Sequence, residues 1–234
     1  MTNVLAVVAH PDDEVLGPGA TLARHAALGD ETHVLILAEG KTSRGPLAEG
    51  AADVSNEETA KACARLGVTT VRRLDLDDNR LDRYPLLELA RHVTAVVEEC
   101  GPEVVYTHHP GDLNIDHELT ARAAMIACRP HASPVRWLLS FSTLSATDAG
   151  HAGRPPFTPS VYADVTSTLQ AKIDAMACYA SELREHPHPR SLHAIRLQAE
   201  LLGAHAGMPA AEAFAVLRGT WPSTPLSRWS GDVE

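Results

Sequence analysis

Val4-Leu5-Ala6-Val7-Val8-Ala9 runs straight into His10-Pro11-Asp12-Asp13-Glu14. The first six residues are an almost unbroken apolar stretch, the pattern of a strand covered on both faces. Beyond the acidic pentapeptide, Val15, Leu16, Leu22, Ala23, Ala26 and Ala27 recur at helical spacing until Gly29. Strand, polar turn and helix in this order open a βαβ unit. In open α/β sheets, ligands bind outside the C-terminal ends of the strands, where the pentapeptide falls. His10 and Asp13 lie three residues apart across a turn stiffened by Pro11, so both side chains converge on one point. One imidazole and one carboxylate suit zinc or a similar divalent ion. Asp12 stays free, and a carboxylate beside a metal-bound water can take that water's proton. The plainer alternative is a pair of N-capping aspartates with an unrelated histidine.

Reading outward, strand and helix signals alternate through the first 140 or so residues. Strands are expected at Thr32–Leu37, Val68–Leu74, Glu103–Thr107 and Val135–Phe141. Helices are expected over Val54–Leu66, Leu86–Cys100 and Glu118–Cys128, the second stopped by Gly101-Pro102. Glu39–Gly50 and Asp75–Tyr84 read as loops. Strands alternating with helices of this length argue for parallel βαβ units in an α/β sandwich. After residue 142 the pattern changes. Ala146–Pro159 is rich in Gly and Pro, and Val161–Val165 suits an edge strand. Helices near Thr168–Leu183, Leu192–Ala206 and Ala211–Arg218 close the chain. Residues 1–234 therefore read as a single domain. Its βαβ core is 1–142, and 143–234 form an appended strand and helical cap.

The composition narrows the functions open to this fold. The chain has 234 residues and a formal net charge of −10, with 44% apolar and 21% charged residues. These are ordinary globular values. With no basic cluster the chain is a poor nucleic-acid binder, and no apolar run approaches the roughly 20 residues of a membrane span. The N-terminus reads as a first strand rather than a signal peptide. Cys63, Cys100, Cys128 and Cys178 lie far apart and form no CxxC pair, as expected of free thiols in a reducing cytoplasm. Thirteen histidines stand against only ten aromatic residues.

A second polar segment follows the expected strand Glu103–Thr107: His108-His109-Pro110-Gly111-Asp112-Leu113-Asn114-Ile115-Asp116-His117. It precedes a helix, so the two loops face each other across one edge of the sheet. One ligand from here completes a set of two histidines and one carboxylate with an open position for water, the stoichiometry of a catalytic zinc. His117 is the choice, next to Asp116, which could accept its second ring N–H and fix the tautomer. His108 and His109 could simply cap the strand end, and Asp112 could be a turn residue before Leu113.

His-Pro-Asp-Asp-Glu at 10–14 with Asp-His at 116–117 resembles the PIG-L (LmbE-like) N-acetylglucosaminyl deacetylases, carbohydrate esterase family 14. Leu66-Gly67-Val68 and Asp78-Asn79-Arg80-Leu81-Asp82 match recurring family segments. Asp112–His117, Pro187-His188-Pro189-Arg190-Ser191 and Ala211-Glu212-Ala213-Phe214 resemble one bacterial branch. The resemblance implies a Rossmann-like fold, one zinc per chain, and hydrolysis of an acetamide on a small-molecule N-acetylated sugar. It makes His10, Asp13 and His117 the zinc ligands and Asp12 the general base, and it is compatible with a homo-oligomer.

Two positions depart from the pattern. Asn114 stands where many members have a histidine that stabilises the oxyanion or protonates the amine. An amide can donate to an oxyanion but cannot act as an acid, so His109, His188 or a reprotonated Asp12 is left to protonate the leaving amine. Ser55 replaces an arginine often found before the helix leading to Leu-Gly-Val, and Arg44 is the nearest candidate to anchor substrate instead. His109, Asp112 and Arg190 are further candidates for substrate contact. Arg190 could meet a phosphate or carboxylate on the substrate, or equally Glu182 or Glu185. Ser191 reads as the N-cap of the following helix, and Asp78 and Arg80 as structural. Two other readings compete: a metal-dependent amidase on a non-sugar amide, and a non-catalytic metal-binding protein, which would not need a free Asp12. No GxGxxG or GxSxG pattern occurs to support a dinucleotide site or a serine hydrolase.

Overall fold

A computed structural model describes residues 1–40, 51–150 and 153–221, without the side chains of 51 and 52. Its strands are β1 (Asn3–Val8), β2 (Glu31–Ala38), β3 (Thr70–Leu76), β4 (Val104–His108), β5 (Trp137–Phe141), β6 (Val161–Asp164) and β7 (Ala211–Gly219). Between them lie α1 (Asp13–Leu16), α2 (Gly19–Ala27), α3 (Ala51–Leu66), α4 (Leu86–Cys100), α5 (Ile115–Ala127), α6 (Leu169–Met176) and α7 (Leu192–Ala206). All seven strands form one sheet in the order β3-β2-β1-β4-β5-β7-β6. The first five are parallel, and β7 and β6 are antiparallel additions. This is the α/β sandwich with a mostly parallel sheet that the alternation predicts.

The continuous apolar strands are explained by helices on both faces. Leu5, Val7, Leu35, Leu37 and Val105 pack on one side against Leu89, Val93 and Val97 of α4 and Leu119 and Ala123 of α5. Val4, Ala6, Val8, Val34 and Ile36 pack on the other against Leu22 of α2 and Cys63 of α3. A further cluster joins α1, α2 and α3 to α6 and α7 through Leu16, Ala62, Leu66, Ile173, Met176, Tyr179 and Ile195. Each fully buried Val or Leu contributes roughly 1.5–3 kcal/mol. No helix among the described residues is long and apolar enough to cross a membrane.

Three expectations are corrected. The helical spacing that runs from Val15 to Ala27 is broken at Gly17-Pro18 into α1 and α2. Gly17 is needed at the break, because a Cβ there would lie 2.4 Å from the Phe141 ring. The helix expected over Thr168–Leu183 ends at Met176, and turns follow. Ala211–Arg218, expected as a helix, is strand β7, paired with β5 on one side and β6 on the other. Two waiting strand partners override a weak local propensity. Val161–Val165 does supply the edge strand, as β6.

Candidate metal centre and active site

The strand order reverses between β1 and β4, which makes their C-terminal ends the topological switch point where open α/β sheets form their crevice. Val7 pairs with Thr107, so the two polar segments emerge side by side. They are tied at once: Ala9 N donates to His108 Nε2 at 3.0 Å.

His10, Asp13 and His117 converge, with one ligand atom from each lying within 4.8 Å of the others. Asp13 Oδ2 accepts from His10 N at 2.9 Å and lies 3.3 Å from both His10 Nδ1 and His117 Nε2. Asp13 Oδ1 is buried with no hydrogen-bond partner among the described residues. An orphaned carboxylate oxygen is costly unless something unseen satisfies it, and a cation does so. The donor set therefore fits a divalent ion.

Carboxylates surround the two imidazoles of that set. Burial works against a charged His10, but Asp116, Asp13 and Asp78 outweigh it and hold its pKa well above the ordinary value. Burial likewise opposes a charged His117, yet Asp13 and Asp112 raise it to about 9. Burial raises the Asp13 carboxyl, but His117 and His108 hold it well below the carboxylate range. His108 is different. Burial and its neighbour His117 depress it to about 4, and its ring stacks on His117 at 3.9 Å. With Nε2 accepting from Ala9 N, His108 is a neutral strut rather than a strand-end cap.

Asp116 is expected to partner the adjacent His117, but the outer carboxylates are distributed otherwise. Asp116 Oδ2 lies 3.1 Å from His10 Nε2, and its two oxygens accept from Asn79 N and Leu81 N. Asp78 Oδ1 also lies 3.2 Å from His10 Nε2. It is Asp112 whose Oδ1 lies 3.2 Å from His117 Nδ1, while its Oδ2 accepts from the Thr147 hydroxyl. Such partners orient ligating imidazoles. Asp78 thus faces the site, although its loop read as structural, and Thr147 carried no sequence signal at all.

Asp12 is 2% exposed and has φ 99°, an uncommon conformation for a residue with a side chain. Its N–H donates to Glu14 Oε2, and the other oxygen of Glu14 accepts from Tyr179 Oη at 2.6 Å. Burial pushes Glu14 up to about 7. Burial also holds the Asp12 carboxyl well above its ordinary value, against the pull of Arg190.

The other candidates are placed as follows. Asn114 caps α5: its Oδ1 accepts from Asp116 N at 2.8 Å, and its Nδ2 donates to Asn79 Oδ1. His109 is buried, with Nε2 2.9 Å from Pro155 O and its ring edge-on to Phe157. His188 is exposed, and its Nδ1 accepts from Arg190 N. Arg190 Nη1 lies 3.1 Å from Asp12 Oδ2 and 3.3 Å from Glu182 Oε2. Ser191 accepts from Ala194 N as the N-cap of α7. Ser55 is met by Arg73, whose Nη1 donates to its Oγ and to Thr59 Oγ1. Arg44 lies outside the described residues. A cavity of about 580 Å³ opens beside His109 and Thr147, with Arg154, Pro156 and Phe157 on its wall.

A family model described as PIG-L, GlcNAc-PI de-N-acetylase, matches residues 5–128. An "uncharacterized deacetylase", YaiS of Escherichia coli, is 30% identical over 150 residues, 58% of this chain and 76% of that protein. The 1D-myo-inositol 2-acetamido-2-deoxy-alpha-D-glucopyranoside deacetylase of Salinispora arenicola is 30% identical over 183 residues, covering 63% of this chain and 58% of that enzyme. Among solved structures, a conserved protein of Thermus thermophilus superposes with a TM-score of 0.75 at 25% identity, covering 97% of this chain and all of the other.

Proposed function

Because the chain belongs to the PIG-L family, with over half its length inside the family match, we propose that it is a metal-dependent hydrolase that removes acetyl from an N-acetylated amino sugar or sugar conjugate. The products are acetate and a free amine. The observation that carries this reading is the Asp12 carboxylate, which stands outside the convergent donor set of His10, Asp13 and His117 and is met by Arg190. A protein that only binds metal has no use for it.

His10, Asp13 and His117 would hold the ion, taken as one zinc per chain. When bound, such an ion polarises an acyl oxygen and lowers the pKa of a water. The chain's own groups do the rest. Asp12 accepts the proton of the attacking water, and the same carboxyl returns it to the departing nitrogen. Of the acid candidates, Asp12 is the one that adjoins the ligand set; His188 is exposed and engaged with Arg190 N. Asn114 keeps one amide N–H beyond that given to Asn79, and it serves the oxyanion. Asp116 and Asp78 aim His10, and Asp112 aims His117. The cavity by His109 and Phe157 takes the rest of the substrate, with an aromatic wall against a sugar face or an apolar conjugate. Asp112, fully buried with its oxygens engaged by His117 and Thr147, orients His117 instead of touching substrate, and Arg44 remains a candidate anchor. The named substrate of the Salinispora relative, an acetamido sugar on a polyol, is the first compound to try.

Elemental analysis combined with acetate release from a panel of N-acetylated sugars and non-sugar acetamides tests the reading. Stoichiometric metal and release from at least one sugar are expected. No metal, or no release from any sugar, overturns it; release from non-sugar amides alone selects the amidase.

A further inference from the structure

Of the two partners expected for Arg190, an anion on the substrate or a glutamate of the chain, the structure shows Glu182, and the guanidinium is already committed. Nη1 meets Asp12 Oδ2 and Glu182 Oε2, and Nε donates to Ser145 Oγ at 3.0 Å. The Glu182 side chain is only 8% exposed and that of Arg190 21%. Two carboxylates around one guanidinium leave no surplus positive charge to attract a third, and an incoming anion would have to break two charge-assisted contacts. The turn carrying Arg190 is fixed as well: Arg190 N donates to His188 Nδ1, Ser191 N donates to His188 O, and Ser191 caps α7. Among the described residues, the hydrogen bond that reaches the Asp12 carboxylate comes from Arg190, 178 positions away.

We propose that Arg190 is a positioning residue for Asp12: it pins Oδ2 of the base and leaves Oδ1 directed to the attacking water. The proposal rests on the role of Asp12 in the deacetylation above. It also accounts for the unusual backbone of Asp12. A carboxylate on a strained turn is held in one orientation only if something outside the turn grips it, and Glu182 in turn grips the guanidinium.

The test uses Arg190→Ala and Arg190→Lys alone and with Asp12→Asn, on neutral and anionic N-acetyl amides that the wild type turns over. Arg190→Ala should lower kcat about 100-fold, with KM within about twofold for both substrate types and metal content unchanged. Added guanidinium ion should restore part of the rate. Within the Asp12→Asn background, Arg190→Ala should change nothing further. A rise in KM confined to anionic substrates with kcat retained overturns the proposal in favour of an anion receptor, and so does unchanged turnover. Urea unfolding of the four proteins of the cycle gives a readout that needs no substrate. Non-additive stabilities support the Asp12–Arg190 grip, and additive ones overturn it. If the wild type releases no acetate at all, the deacetylase reading fails while this cycle still decides the pairing.

Discussion

Asp12 shows how one residue can be costly to the fold and still be kept. Its positive φ and its burial both work against it, and such conformations cost of order 1–3 kcal/mol. Asp12→Asn is nearly isosteric and removes the ability to take a proton together with the charge that Arg190 meets. It should retain the metal and the fold and lose about 10²–10⁴-fold in kcat, read by acetate release alongside elemental analysis. His117→Ala should do the reverse of retaining metal. With two donors left, the ion should leave on dialysis, and metal per chain measures that directly. Both positions are legible in the sequence because their chemistry is local: Asp12 lies in a five-residue segment with one imidazole and three carboxylates, and His117 closes a ten-residue segment with three histidines and two aspartates. The outer contacts are not. Asp116 stands next to His117 in the chain but orients His10, because the helical start at Ile115 carries the Asp116 carboxylate toward the loop of Asn79 and Leu81. Adjacency in sequence says little about which way two neighbours on a helix point.

At the scale of elements, β7 is where local reading fails, and Glu212 shows what holds it. The buried Glu212 accepts from Ala20 N and Thr21 N at the start of α2 and pairs with Lys172 of α6 at 2.5 Å. Lys172 also donates to Leu16 O and Gly17 O, the carbonyls freed where α1 breaks. One ion pair thus joins the broken helix, α6 and the strand inserted between β5 and β6. Lys172→Ala leaves a buried carboxylate without its cation and should cost about 3–5 kcal/mol, measured by urea unfolding. Replacing the pair together by Met and Leu should recover only part of that, because two helix N–H groups then lose their acceptor. The cue in the sequence is slight: a lone Glu between alanines, and a lone Lys in an apolar helix.

For the whole molecule, three of the four thiols, those of Cys63, Cys100 and Cys128, report on global opening. Cys63 and Cys128 are 2% and 0% exposed. Burial pushes the Cys63 thiol up strongly, Cys128 to about 12 and Cys100 to about 11. The thiolate is the reactive form, so at neutral pH these three should resist iodoacetamide in the native protein and react together on unfolding. Mass spectrometry of labelled cysteines checks this, and rapid native labelling of Cys63 or Cys128 would contradict the packing. The parallel core and the candidate donors His10, Asp13 and His117 are legible without the fold. Apolar runs, helical spacing and a dense donor set are short-range properties that hold wherever the chain goes. The folded chain alone reveals that Ala211–Gly219 is a strand, which carboxylate lies against which histidine, and that Arg190 meets Asp12 from 178 positions away. Each depends on a partner distant in sequence, and no local pattern encodes where such a partner will stand.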